Sequence, residues 1–191
     1  MYEVELKVRA DLDRVERRLE ELDAADRGAK RQVDTYYDAP HRDFAETDEA
    51  LRIRETTPLS GEGEEDDSDH DASTSLTYKG PLVEAASKTR EEHETTVADP
   101  AEARAIFDGL GFEPAAEVRK ERHFYELDGY TVTLDDVEGA GRFVEVEREA
   151  DAESLEAVRR GAADVLERLG LDAADQIRTS YLGLILAEEA E

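Results

Sequence analysis

"YEVELKVRA" (residues 2–10) alternates through its whole length: Tyr2, Val4, Leu6 and Val8 on one side, Glu3, Glu5, Lys7 and Arg9 on the other. Side chains of a strand point to opposite faces in turn, so this stretch is a strand with one apolar face and one wholly ionic face. The pattern recurs along the chain. In "ALRIRE" (50–55), Arg52 and Arg54 oppose Leu51 and Ile53; in "LTYKG" (76–80), Thr77 and Lys79 oppose Leu76 and Tyr78. "TREEHETTV" (89–97) sets Arg90, Glu92 and Glu94 on one parity, and "VRKERHFYEL" (118–127) does the same with Lys120, Arg122 and Phe124. "YTVTLDDVE" (130–138) puts Thr131, Thr133 and Asp135 opposite Val132 and Leu134, and "RFVEVERE" (142–149) puts Glu145 and Glu147 opposite Val144 and Val146.

Together with 32–38, these runs make eight expected strands: 2–9, 32–38, 50–56, 74–80, 89–97, 118–127, 130–136 and 142–149. Helical periodicity fills the intervals. "ADLDRVERRLEEL" has Asp11 as N-cap, with Leu12, Val15, Leu19 and Leu22 on one face. "DPAEARAIFDGLG" has Asp99 as cap, Pro100 at the first helical position and Gly111 beyond the end. "ESLEAVRRGAADVLERLG" closes on Gly170, and "SYLGLILAEEA" is a last helix. Short strands mixed with a few helices predict an α+β fold whose antiparallel sheet closes into a barrel.

Any single strand of this kind is explained by a wet face and a core face. The set is not, because bases are scarce. The chain has 51 acids against 24 bases, a net charge of −27, yet three of its five lysines lie on these faces beside Arg52, Arg54, Arg90 and Arg122. With the apolar faces turned outward beneath helices, the ionic faces line a tunnel. Arginine forks and lysine point charges there suit phosphate oxygens. The acids Glu3, Glu5, Asp135, Glu145 and Glu147 suit a hard divalent cation with oxygen ligands. Bases, acids and metal together describe a triphosphate site.

The remaining composition bounds the rest. So negative a chain repels nucleic acid and anionic membranes. It has no cysteine, hence no disulfide and no thiolate site. Its N-terminus lacks a signal pattern and no run approaches the roughly 18 apolar residues of a membrane span, so a soluble cytoplasmic protein is expected. The acid excess, with 19 arginines to five lysines, reads as a halophilic surface. "SGEGEEDDSDHDASTS" (60–75) is too polar to order itself and reads as a flexible acidic insertion in a single domain spanning 1–191. A weak repeat at an offset of 88 or 89 aligns Val8 with Val97 and Tyr36 with Phe124, which suggests two related halves around a shared cavity. His93 and His123 fall off the ionic parity and are bystanders.

"EVELK" fits the E-x-E-x-K signature of the CYTH family, the triphosphate tunnel metalloenzymes. "DTYYDAP", "ALRIRE", "TYKGP", "SKTREEHE", "VRKER", "LDDVEGAGRFVEVE" and the late "SY" continue the resemblance over nearly the whole chain. The series is most similar to the class IV adenylyl cyclase branch, with Ala140 where a bulkier apolar residue is usual and a longer loop at 60–75.

The resemblance implies an eight-stranded antiparallel closed β-barrel. It implies Glu3, Glu5, Asp135, Glu145 and Glu147 as ligands of Mg²⁺ or Mn²⁺, and Lys7, Arg52, Arg54, Lys79, Arg90, Lys120 and Arg122 as triphosphate binders. Glu3, Glu5, Lys7, Lys120 and Arg122 are the residues it places at the reacting centre. Two reactions use these parts: ATP to cyclic AMP and pyrophosphate, or hydrolysis of tripolyphosphate, a nucleotide or another organic triphosphate. A polyphosphate-binding module without catalysis ranks third. The partner is a small-molecule triphosphate. The assembly is left open, a homodimer being compatible.

Overall fold

A computed structural model describes residues 2–59, 72–84 and 89–189. The eight strands are β1 (Tyr2–Arg9), β2 (Ala25–Asp38), β3 (Ala50–Leu59), β4 (Ser73–Glu84), β5 (Thr89–Thr96), β6 (Glu113–Leu127), β7 (Tyr130–Val137) and β8 (Gly141–Ala150). They close into an antiparallel barrel in the order β1-β5-β4-β3-β2-β6-β7-β8. Exchanging the first four strands for the last four returns the same ring, which is the arrangement the weak repeat suggested. Tyr36 and Phe124 are accordingly equivalent inward positions on the paired strands β2 and β6.

The expected alternation places each strand, but β2 and β6 run further than it reached. β2 begins at Ala25, seven residues before the expected start at 32, and β6 begins at Glu113 rather than at 118. The added length of β2 is "ADRGAKR", which carries no alternation to read. It is held by pairing with β6, by Arg27–Glu126 at 2.6 Å and by Arg31–Glu121 at 2.7 Å. Gly28 sits at φ +84°, and the Asp26 carboxylate accepts its N–H at 2.7 Å, where the register shifts. Most of the expected insertion, 60–71, lies outside the described residues; its last three, Ser73–Ser75, are β4 residues paired with β3.

The helices are α1 (Leu12–Glu21), α2 (Phe44–Thr47), α3 (Pro100–Gly109), α4 (Leu155–Arg168) and α5 (Tyr181–Glu189), with a 3₁₀ turn at Ala173–Asp175. The short α2 was not expected. Asp99 caps α3 by accepting from the N–H groups of Ala101 and Glu102 at 3.0 and 3.1 Å. α4 ends as expected: Gly170 adopts φ +77° and Leu171 N–H returns to the Leu166 carbonyl at 2.9 Å.

The core lies outside the barrel. Val4, Leu6 and Val8 of β1, Val132 and Leu134 of β7, and Val144 and Val146 of β8 are buried beneath Val15 and Leu19 of α1 and Val158, Ala162, Val165 and Leu166 of α4. Each such side chain contributes roughly 1.5–3 kcal/mol of transfer free energy. The outward faces being apolar and covered, the ionic faces turn inward. At one end Tyr181, the first residue of α5, packs among Tyr36, Val118, Val137, Ala140 and Phe143. Among the described residues no helix is long and apolar enough to cross a membrane.

Candidate functional site: a charged tunnel

The barrel encloses a cavity of about 260 Å³, and all seven cations singled out in the sequence line it: Lys7, Arg52, Arg54, Lys79, Arg90, Lys120 and Arg122. Register explains how each is held. Asp34 of β2 stands opposite Arg54 of β3 and binds it at both oxygens, 2.6 Å from Nε and 2.7 Å from Nη2, while Arg52 Nη1 lies 3.3 Å away. Burial opposes the charge on Asp34, but Arg54 and Arg52 outweigh it and hold the carboxyl far below its usual range. On the adjoining strands Arg122 of β6 faces Asp135 of β7, is bound by both of its oxygens, and also meets Glu145. Burial works against the Arg122 charge, and Asp135 and Glu145 more than restore it. Lys79 lies between Glu92 at 2.7 Å and Glu3 at 3.0 Å.

Lys7 Nζ is 3.8 Å from Glu145 and 3.9 Å from Glu5, and sits 4.2 Å from the centre of the Tyr181 ring. Arg90 is turned to the segment before β3, donating to the Asp48 carbonyl at 2.6 Å and carboxylate at 2.8 Å. Lys120 stands apart. It is buried, its Nζ lies 5.1 Å from the Tyr181 ring centre, and it forms no ion pair among the described residues. Burial first, and then the charges of Arg122 and Arg54, push its amine down to about 7, against the partial support of Asp135 and Asp34.

The acids divide. Glu3, Glu5 and Glu147 bring carboxylate oxygens within 4.8 Å of one another, Glu5 and Glu147 being direct cross-strand partners. Burial and the Glu3 charge push the Glu147 carboxyl up to about 8 against the partial support of Arg122, the response of a buried acid crowded by other acids. Three half-buried carboxylates form a donor set that fits a hard divalent cation. Asp135 and Glu145 lie apart from that group. Asp135 is wholly buried, held by Arg122 and by the Tyr181 hydroxyl, which donates at 2.8 Å; it does not line the cavity. Glu145 is spent on Lys7 and Arg122. Both brace cations in this structure.

Three tunnel residues had no role assigned from the sequence. Asp34 shares parity with Tyr36 in "DTYYD" and could have been read as the anion that two arginines need. Tyr181 belongs to the matched "SY", but nothing in the chain tells that the last helix returns to the barrel. Gln32 continues the inward parity of β2. Its Oε1, with Arg52 Nε and Thr133 Oγ1, is buried without a hydrogen-bond partner, so the interior holds polar atoms that a ligand would satisfy. The two histidines lie outside: His93 stacks on Tyr78, and His123 contacts Asp26 at 2.8 Å.

Residues 1–181 match the model of the CYTH domain family. A protein of Methanocaldococcus jannaschii, provisionally named an adenylate cyclase, is 38% identical over 186 residues, 96% of this chain and 98% of its own. The adenylate cyclase CyaB of Aeromonas hydrophila is 27% identical over 151 residues, 78% of this chain and 70% of its own. Among solved structures, the PH1819 protein of Pyrococcus horikoshii superposes with a TM-score of 0.85 at 35% identity, covering 97% of this chain and 99% of that one.

Proposed function

The chain belongs to the CYTH domain family, and from that premise we propose that it is a metal-dependent enzyme that binds a triphosphate inside its barrel and cyclises ATP to cyclic AMP and pyrophosphate. The observation that carries the triphosphate reading is the convergence of seven cations and a carboxylate triad in one closed interior. In a chain of net charge −27, a cation-lined cavity is maintained against the composition. The cyclase reading is supported by two relatives that carry that name.

Glu3, Glu5 and Glu147 would hold Mg²⁺ or Mn²⁺, which supplies charge stabilisation for the phosphate oxygens. Arg52 and Arg54 of β3, Lys120 and Arg122 of β6 and Lys7 of β1 would orient the polyphosphate from separate strands of the ring. Asp34 and Asp135 are positioning residues. Each fixes a guanidinium plane, so that the cations are ordered before the ligand arrives. The ribose 3′-oxygen attacks the α-phosphorus and loses its proton; the bond to the α,β-bridging oxygen breaks, and pyrophosphate leaves.

A second reading, hydrolysis of a triphosphate, is supported by the size of the cavity. About 260 Å³ is small for a whole nucleotide among ligand sites of roughly 300–1,000 Å³. The test is product analysis in molar KCl with Mg²⁺ or Mn²⁺, giving the protein ATP, the other nucleoside triphosphates and tripolyphosphate. Cyclic AMP with pyrophosphate is expected. Orthophosphate as the dominant product establishes the hydrolase instead, and no turnover of any triphosphate leaves only a binding module.

A further inference from the structure

Outside the barrel, on the apolar side of β1, Arg159 and Arg160 of α4 meet Gln176 and Arg178 of the segment leading to α5 around a cavity of about 580 Å³. Its floor is Leu6, and small alanines of α4 and of the 3₁₀ turn leave it open. We propose that this cavity binds a small phosphate-type oxyanion, orthophosphate or pyrophosphate, and that its occupancy is coupled to the tunnel.

The composition makes the cluster unusual. With 51 acids to 24 bases, several exposed arginines elsewhere pair with carboxylates, Arg18 with Glu21, Arg27 with Glu126, Arg31 with Glu121, Arg142 with Asp136 and Arg168 with Asp128, whereas Arg14, Arg17 and Arg148 have no ion pair among the described residues and line no such cavity with an unpartnered amide. Arg160 and Arg178 have neither ion pair nor hydrogen bond among the described residues. Gln176 adds a buried amide nitrogen, Nε2, that has no hydrogen-bond partner. Guanidinium groups offer only donors, and the amide nitrogen offers two more. A cation is repelled by such a lining, and a neutral ligand leaves the charges of Arg160 and Arg178 unanswered. An anion with several acceptor oxygens satisfies them at once. Asp172, the acid that starts the neighbouring turn, is engaged in capping, its carboxylate accepting the Ala174 N–H at 2.8 Å.

The path to the tunnel is short. Leu6 floors the outer cavity, and the next residue, Lys7, points into the barrel. Ile177, between Gln176 and Arg178, donates its N–H to the Lys7 carbonyl at 2.7 Å. The same segment runs on to Tyr181, whose ring meets Lys7 Nζ. An anion that fixes Gln176 and Arg178 therefore fixes the segment that delivers Tyr181 to the tunnel. Each ligand is expected to tighten the other, as linkage requires of any coupled pair. At the salt such a chain needs, direct repulsion between the two anions is screened within a few ångströms.

The test titrates orthophosphate into the full chain by calorimetry in molar KCl, alone and with the tunnel saturated by tripolyphosphate and Mn²⁺. A phosphate site is expected that persists beside bound tripolyphosphate and is tightened by it. The double variant Arg160→Ala/Arg178→Ala should weaken that site by roughly tenfold for each arginine removed, and Gln176→Glu, nearly isosteric, should weaken it in the same direction. Tripolyphosphate should still bind both variants with unchanged stoichiometry. The proposal is overturned if saturating tripolyphosphate abolishes phosphate binding, if the variants bind phosphate as the parent does, or if chloride displaces phosphate as an equal. Should tripolyphosphate fail to bind while the arginine-dependent phosphate site remains, the outer site stands and the tunnel reading falls.

Discussion

Lys120 is held at about 7 by burial and by its arginine neighbours, and a triphosphate brings the negative charge that it lacks. Binding should therefore draw a proton onto this amine. At an amine value of about 7, the free protein carries the charge on about half of its molecules at pH 7, on about a tenth at pH 8 and about a hundredth at pH 9. Only the charged form makes the contact, so its share of the affinity declines roughly tenfold per pH unit above 7.

The assay compares the parent with Lys120→Met, which keeps the length and removes the charge. The ratio of their affinities for a metal–triphosphate analogue cancels the ligand's own titration and that of the carboxylate triad. At pH 6 the ratio should be the worth of a charge-assisted contact, on the order of 10- to 100-fold. It should fall toward unity by pH 9. Calorimetry at pH 8 in buffers of different ionisation enthalpy should show close to one proton taken up by the parent in excess of the variant. Without ligand the sign reverses. The folded value lies below the ordinary 10.5, so charged Lys120 weakens the fold at neutral pH and the cost fades as pH rises toward 10.5. The variant should melt higher than the parent at pH 7 and lose that advantage in alkali. A ratio that stays constant from pH 6 to pH 9 refutes the reasoning, since it means that Lys120 is fully charged before the ligand arrives.

Four further outcomes are expected. Glu147, pushed up to about 8 from an ordinary value of 4.5, keeps its proton longer folded than unfolded, so its contribution to stability is present below 4.5 and is lost as pH rises through 8; Glu147→Gln should melt higher than the parent above pH 8 and lose the upward shift that Mn²⁺ gives the parent in a melting scan. Asp34→Asn leaves Arg52 and Arg54 side by side in the wall without their shared anion, and denaturant titration should show a loss on the order of 3–5 kcal/mol, with KM for the triphosphate raised. Gly161 of α4 lies against the Tyr130 ring, whose hydroxyl donates to the Val158 carbonyl at 3.0 Å, and a Cβ there meets the ring; Gly161→Ala should destabilise by about 1–3 kcal/mol, measured at equilibrium. With net charge −27, the melting temperature should climb from dilute buffer to molar KCl, and a flat curve removes the halophilic reading alone.

The fold was legible because the strands report one simple variable. Period-two alternation tells which face is apolar, and in β1, β3, β4, β7 and β8 the answer was consistent enough to turn the sheet inside out, with its core beneath α1 and α4. What alternation does not report is length. "ADRGAKR" joins β2 because β6 pairs with it, β3 pairs with its last three residues, and Arg27 and Arg31 find Glu126 and Glu121 across the strand. Those interactions exist only once the chain is folded, and no local window contains them. The short α2 was missed for a related reason, since four residues are too few to show a period of 3.6.

The site was legible by face and not by depth. Parity placed Glu3, Glu5, Asp135, Glu145 and Glu147 on the inner surface as equals, and the strand register separates them. Asp135 stands opposite Arg122, and Glu145 opposite Lys7, so each has a cation as its nearest neighbour. Glu147 stands opposite Glu5, an acid opposite an acid. Like charges directly across a ladder are unfavourable, and such a pair inside a cavity calls for something that the chain itself does not provide. The same reasoning sorts the bases: Arg52, Arg54, Lys79 and Arg122 each have a carboxylate partner that fixes them, whereas Lys120 has none among the described residues. Glu147, which faces an acid and has no ion pair among the described residues, and Lys120, which has no carboxylate partner there, are where a metal and a phosphate have most to add. Parity gives the candidates, register identifies which of them are already answered, and the ligand is inferred from the remainder.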